Sequence, residues 1–225
     1  MIGSTPATDI HNVQVLDAVP IGVRKVLEVG TGTGALAREI RKKCPGVEYV
    51  GVEISADYRD AAEDWCDRVY LENFEQASES LISEMVNADV VIFADVLEHL
   101  IDPWASLARI RAVLPAHARI IASIPNIQHW SIQYRLLAGD FRYADVGLLD
   151  RTHLRFFTRQ TMLEMFASTG YRVDAVVPRI FAFPQQEEML KRVAQISQLH
   201  GMDPNVAVQD AAAFQFVLTA VPAVA

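Results

Sequence analysis

The sequence predicts an α/β fold built on a doubly wound, largely parallel sheet, and three observations carry that reading. Residues 25–34, KVLEVGTGTG, pass from a short apolar run into glycines at every second position, Gly30, Gly32 and Gly34, ahead of the helix-like ALAREIRKK. Strand-like and helix-like stretches then alternate through Pro125. One run, Val90, Val91, Ile92 and Phe93, is too continuously apolar for a half-exposed strand and fits one covered on both faces.

The glycine turn organises the rest. Glycine reaches backbone angles that other residues avoid, and without a Cβ it lets a ligand lie against the main chain where helix N-terminal amides face it. Gly30-x-Gly32-x-x-Ala35 also satisfies the dinucleotide fingerprint, so the turn by itself indicates a nucleotide-like ligand without choosing one.

Each element follows in order. Residues 1–24 read as a leader with a short helix through VQVLDAVP. The helix from Ala35 to about Lys43 closes on basic residues, with Pro45-Gly46 as stop signals beyond. Residues 47–55, VEYVGVEIS, form the second strand, and Glu53 stands near its end, 23 positions after Gly30. A carboxylate there can accept two hydrogen bonds from a ribose diol, which raises the reading to a ribose-bearing cofactor. A helix over Ala56–Cys66, the strand RVYLEN and an amphipathic helix over 75–87 come next. The central strand from Val90 ends at Asp95. Ligands of open α/β sheets lie outside the carboxyl ends of the strands, which places Asp95, Glu98 and His99 beside the turn and Glu53. Pro103 opens a helix that Pro115 ends, and residues 119–125 form another buried strand. Later come a helix ending at Gly170, the strand YRVDAVVP and a last strand over 213–221.

Composition bounds the function. A chain of 225 residues, 51% hydrophobic, buries a large core as one domain, 1–225. A net charge of −8 argues against nucleic acid, whose binding needs clustered Lys and Arg. Cys44 and Cys66 are too few for a disulfide framework and read as two free thiols of a reducing compartment. The N-terminal stretch resembles no signal sequence and no apolar run approaches the roughly 20 residues that span a bilayer, so a cytoplasmic location is expected.

The ordered series VLEVGTGTG, acidic second-strand end, FADVLEHL and RIIASIPN resembles the class I S-adenosylmethionine-dependent methyltransferases over roughly residues 20–180. The segment GLLDRTHLRFFTRQTMLEMFASTGYRV is similar to a subgroup near the ubiquinone-pathway O-methyltransferases whose members accompany glycosyltransferases in surface-polysaccharide assembly. The resemblance implies a Rossmann-like sheet of about seven strands, the last antiparallel, and S-adenosyl-L-methionine as cofactor, with S-adenosyl-L-homocysteine as product. It implies cofactor contacts at Glu28, Gly30, Thr31, Gly32 and Gly34, with Glu28 helping to hold the methionine ammonium. It implies ribose binding by Glu53 beside Ile54, adenine contacts at Asn73 and at the amide and ring of Phe74, and a methionine-side loop at Asp95 and Val96. A nicotinamide-binding turn has no need of Glu28.

Residues 126–158 are too long for an ordinary connection and rich in aromatic and basic side chains, so they should form the acceptor-binding cap, with a helix over Gln128–Ala138. Methyl transfer to a hydroxyl needs in-line geometry and removal of a proton, and imidazole suits that near neutrality. His153 is the first choice as catalytic base, with His129 and His99 in reserve; the alternative is that His153 ties the cap to the sheet. Asp102, His129, Asp150 and His153 show no compact ligand spacing, and no metal is expected. A helical insertion over 184–210 reads as a second piece of cap or an oligomer surface, with a homodimer left open. The expected activity is O-methylation of a small molecule or of a sugar of a surface glycan or its precursor. The alternatives are an NAD-dependent oxidoreductase and a catalytically silent methyltransferase-fold partner.

Overall fold

The computed structural model describes residues 9–223. Seven strands, β1 (Lys25–Val29), β2 (Glu48–Glu53), β3 (Arg68–Leu71), β4 (Val90–Ala94), β5 (Arg119–Pro125), β6 (Tyr171–Arg179) and β7 (Gln215–Pro222), form one sheet in the order β3-β2-β1-β4-β5-β7-β6. β1 to β5 are mutually parallel and β7 runs antiparallel to both of its neighbours. The chain winds outward from β1 through β3 and then crosses back to β4, so β1 and β4 meet at the point where the winding reverses. In open α/β sheets, ligands bind at the carboxyl ends of such a strand pair.

Apolar residues on both faces of the strands recruit the helices. On one face, α1 (Val13–Ala18) and α2 (Ala35–Lys43) bury Val15, Leu36 and Ile40 against Val26, Tyr49 and Ile92. On the other, α4 (Glu79–Met85), α5 (Pro103–Arg111) and α7 (Arg159–Ser168) bury Leu81, Leu107 and Phe166 against Leu27, Val91 and Ile120. Residues 13–19 are thus part of the core and not a leader, because Val15 and Val19 are enclosed; residues 1–8 of that expected segment lie outside the described residues. The helix expected over 56–66 divides into a 3-10 turn at Ala56–Tyr58 and the short α3 (Arg59–Glu63). The one expected over 75–87 divides likewise, because Ser78 caps α4 by accepting from the Leu81 amide.

The 126–158 segment folds back on itself. His129 caps α6 (Trp130–Leu137), and Gly139, at φ 71°, lies just beyond the helix end. The two ends of the segment meet where the Ile127 amide donates to the Phe157 carbonyl at 2.9 Å. The return limb is held by the Leu154 and Arg155 amides, which both donate to the Glu98 carbonyl at 2.8 and 3.0 Å. The 184–210 insertion contains two helices where one was expected, since Asp203 and Pro204 start α9 (Pro204–Ala212) after α8 (Gln186–Leu199). Val193 and Ala211 of this pair pack with Trp130 of α6. Among the described residues, no helix is long and apolar enough to cross a membrane.

One close approach inside the sheet fixes the turn that follows β1. Gly51 lies opposite Glu28, and a Cβ on it would stand 2.8 Å from Thr31 Cγ2 and 3.1 Å from Cys66 Sγ. Gly51→Ala should therefore cost about 1–3 kcal/mol through overpacking. A chemical-denaturation midpoint should show it, and adding Thr31→Ser, which removes the clashing methyl and keeps the hydroxyl, should restore part of the loss. A Gly51→Ala midpoint equal to wild type would refute this packing.

Candidate active site

The turn after β1 is fastened to the end of β2. The amides of Gly30 and Thr31 donate to the Val52 carbonyl at 2.8 and 3.1 Å, and the Gly32 amide donates to Glu53 Oε2 at 2.9 Å. Glu53 Oε1 accepts from the amides of Ile54 and Ser55 at 2.8 and 2.9 Å. The carboxylate is thus oriented by three backbone donors while the Ile54 side chain beside it remains 64% exposed. Gly30, at φ 74°, has a steric requirement as well: a Cβ would meet Val96 Cγ2 at 2.7 Å, so the loop after β4 closes directly on the turn. Gly34 caps α2 from the left-handed region.

Beneath the turn lies Glu28, 3% exposed. Its Oε2 accepts from Tyr49 Oη at 2.8 Å and from Thr31 Oγ1 at 2.9 Å. Burial pushes its pKa up to about 7, and the two hydroxyl donors work against that rise. A cationic group brought near Glu28 would hold it in the charged form.

Asp95, at φ 57°, is the one non-glycine with positive φ among the described residues, a conformation that Asp tolerates better than most. Its amide donates to the Ser123 carbonyl and hydroxyl, both at 3.1 Å, and its Oδ1 accepts from Gln215 Nε2. Gln215 in turn accepts from Arg179 at 2.8 Å, which connects the strained turn to the antiparallel half of the sheet. Burial raises the Asp95 pKa, offset in part by Ser123 and the Arg179 charge.

Asn73 and Phe74 follow β3, whose neighbour Glu72 donates its amide to the Glu53 carbonyl at 3.0 Å. The Asn73 side chain accepts from the Glu75 amide at 2.9 Å as a cap. The Phe74 ring is 4% exposed and packs edge-on against Phe93 at 5.4 Å, with Arg109 over it. The ring thus packs into the core beside Phe93.

Three residues further along the Asp95 loop, the return limb of the cap brings His153 to Glu98 and His99. His153 Nε2 stands 4.0 Å from Glu98 Oε1, and the two imidazole centroids are 4.8 Å apart. Glu98 is 1% exposed, and no other described residue hydrogen-bonds its carboxylate. Burial, then the charges of Asp95 and Asp150, drives the Glu98 pKa well above the carboxylate range. Burial lowers the pKa of His99 and of His153, the latter further by the charge of its neighbour. His99, held in reserve on sequence grounds, is therefore part of the same centre as His153. His129 is not placed there by any contact: it caps α6 among Trp130, Phe183 and Phe214, and burial takes its pKa down to about 4. Asp102 caps α5 through the Ala105 amide. Asp150 accepts from Thr152.

Several contributors were invisible in the sequence. Tyr49 reads as an apolar strand position, Gly51 as an interruption of a strand, and Gln215 is 120 positions from the Asp95 it orients. Only the Gly51 signal could have been used, since a glycine inside a strand marks a close approach.

Comparisons with known proteins agree with this geometry. A family model described as a methyltransferase domain matches residues 10–176. No curated protein matches the sequence. Among solved structures, the [4+2]-cyclase SpnF superposes with a TM-score of 0.62 at 18% identity over 95% of this chain and 80% of that one. The plantazolicin methyltransferase BpumL in complex with SAH gives 0.58 at 14% identity over 90% and 77%. A TehB-like SAM-dependent methyltransferase from Corynebacterium glutamicum gives 0.55 at 15% identity over 93% and 85%. The chain belongs to the methyltransferase-domain family and has the Rossmann-like fold of the S-adenosylmethionine-dependent methyltransferases.

Proposed function

We propose that this protein is an S-adenosylmethionine-dependent methyltransferase acting on a hydroxyl of a small molecule, with a sugar of a surface glycan or of its precursor as the acceptor class. The observation that carries the cofactor half is the Glu53 carboxylate, fixed by the Gly32, Ile54 and Ser55 amides at the mouth of a glycine cradle that Val96 closes. With three of its roughly four acceptor sites taken by backbone amides, the carboxylate keeps one, on Oε2, for a ribose hydroxyl. Ile54 offers an apolar edge to a base, and Glu28 offers buried negative charge to an ammonium. Bound there, the cofactor supplies an electrophilic methyl group on a sulfonium. The chain's own part is to hold that ligand by its ribose and amino acid ends and to keep its carbon in line with an acceptor.

The acceptor half rests on the cap. From buried His153 an aromatic run leads outward through Phe156, Phe141 and Tyr143, with successive centroids 6.2, 6.0 and 5.9 Å apart. Phe156 and Phe141 are about one-third exposed and Tyr143 more than half, which suits the apolar face of a sugar or ring. His153, in the Glu98–His99–His153 centre, takes the acceptor's proton. Its depressed pKa leaves the ring neutral at neutral pH, the form a base requires.

The cofactor half is tested by Glu53→Ala, which should weaken S-adenosylhomocysteine binding by about 1–3 kcal/mol, the loss expected for a charged hydrogen-bonding partner. Calorimetry on a variant of wild-type circular dichroism reads it. An unchanged dissociation constant would remove Glu53 from the ribose site.

For the acceptor half, His153→Ala should keep S-adenosylhomocysteine affinity near wild type while turnover falls roughly 10²- to 10⁴-fold. Because the imidazole pKa is lowered, the working neutral form persists below the ordinary value, so the acid limb of wild-type kcat/KM should fall below pH 6.5 and vanish in the variant. Near-normal turnover in the variant would exclude the role.

A further inference from the structure

We propose that Arg179 binds an oxyanion of the acceptor, a carboxylate or a phosphate, so that the substrate is an acidic sugar or ring and not a neutral one. The inference rests on the acceptor half of the reading above and narrows it. It starts from a guanidinium that the fold leaves half satisfied.

Every other arginine of the chain reaches a carboxylate or a main-chain carbonyl. Arg179 reaches neither among the described residues, although a chain of net charge −8 has carboxylates to spare. Its Nη1 donates to Gln215 Oε1 at 2.8 Å, and its guanidinium carbon stands 4.9 Å from the centroid of the Phe181 ring. Those two contacts hold the guanidinium plane and leave Nε and Nη2, one edge of the planar fork, without an acceptor. That edge matches the paired oxygens of a carboxylate or a phosphate.

Gln215 is what keeps the fork open. Its amide oxygen accepts from Arg179 and its amide nitrogen donates to Asp95 Oδ1, so a neutral group stands between the two charges. Asp95 feels the Arg179 charge without an ion pair that would occupy the guanidinium.

The sheet brings this group to the acceptor side. β6 runs parallel to β5 through its antiparallel pairing with β7, and Arg179 ends it opposite Gln215, which also pairs with Pro125. The Asn126 amide donates to the Phe214 carbonyl at 3.0 Å and the Phe214 amide to the Arg179 carbonyl at 2.8 Å, which stitches the three strand ends together on the carboxyl edge. The Phe214 ring lies 5.3 Å from that of Phe181 and packs with Leu148, whose main chain hydrogen-bonds the His153 ring. Arg179 and His153 are thus linked through Phe181, Phe214 and Leu148 along one wall. Phe181 is over a third exposed and offers that surface to an apolar ring face. Two more donors of this wall lack acceptors. His129 Nδ1 accepts from the Ser131 amide, so the neutral ring carries its proton on Nε2, and both that nitrogen and Trp130 Nε1 are buried without a partner. An excess of donors suits a ligand rich in oxygen.

The test uses isotope-labelled full-length protein titrated with glucuronate, with glucosyl phosphate and with glucose at constant ionic strength, following the arginine Nε–H resonances by NMR. The resonance missing from Arg179→Gln and from Arg179→Lys identifies Arg179. Both anions should shift it saturably and glucose should not. In Arg179→Gln, whose amide can still donate to Gln215, affinity for the anions should fall about 10- to 100-fold, and Arg179→Lys, which keeps the charge and loses the fork, should fall between. The tighter of the two anions names the acceptor's group. Thermal melts establish that the variants are folded, and the wild-type resonance stands independently of them. No saturable shift with either anion, an equal response to glucose, or an unchanged anion affinity in folded Arg179→Gln would overturn the site. S-adenosylhomocysteine titrations on the same preparations separate the two claims. Binding of that ligand without anion binding would sink the anion site alone, and anion binding without it would sink the cofactor reading alone.

Discussion

The arrangement depends on one interaction, the grip of three backbone amides on the Glu53 carboxylate. Gly32 belongs to the turn after β1, and Ile54 and Ser55 belong to the exit from β2. Parallel pairing of β1 with β2 brings the two strand ends level, with Val29 opposite Val52, and the carboxylate then joins what the ladder has aligned. Charge-assisted bonds from main-chain donors are stronger than neutral ones and fix a side chain more firmly than a single contact can. The carboxylate is therefore held in one orientation at this edge of the sheet. The turn in turn carries Thr31, whose hydroxyl reaches Glu28, and gives Val96 a surface to close on.

The strand–turn–helix unit around the glycines was largely legible in the sequence. Glycine spacing, an apolar strand before it and an acidic residue 23 positions later are local features. Each constrains backbone or hydrogen bonding within one strand–turn–helix unit. Alternation of elements gives a parallel, doubly wound sheet, whose possible strand orders fold topology restricts to a few. Helix boundaries were less legible, because the breaks at Arg59 and Ser78 depend on 3-10 turns and a side-chain cap that periodicity does not register.

The acceptor half was legible only in part, for a different reason. His153 and Glu98 are distant in sequence, and what unites them is a pair of main-chain bonds from Leu154 and Arg155 to the Glu98 carbonyl. Any residue but proline can donate such bonds, so no sequence signal announces them. The same holds for Asp95, whose geometry is set by Ser123 and Gln215 from two other strands. The Phe74 ring likewise packs edge-on against Phe93 of β4, a contact no local pattern announces. The α8–α9 pair packs against α6 at Trp130.

The central claim is that this site is built for an adenosyl amino acid and not for a nicotinamide dinucleotide, although the glycine spacing admits both. Thermal denaturation with each ligand at a concentration well above a micromolar dissociation constant tests it most directly, because a ligand that binds only the folded state raises the midpoint. The account predicts a concentration-dependent rise with S-adenosylhomocysteine and none with NADH. A rise with NADH and none with S-adenosylhomocysteine would contradict it.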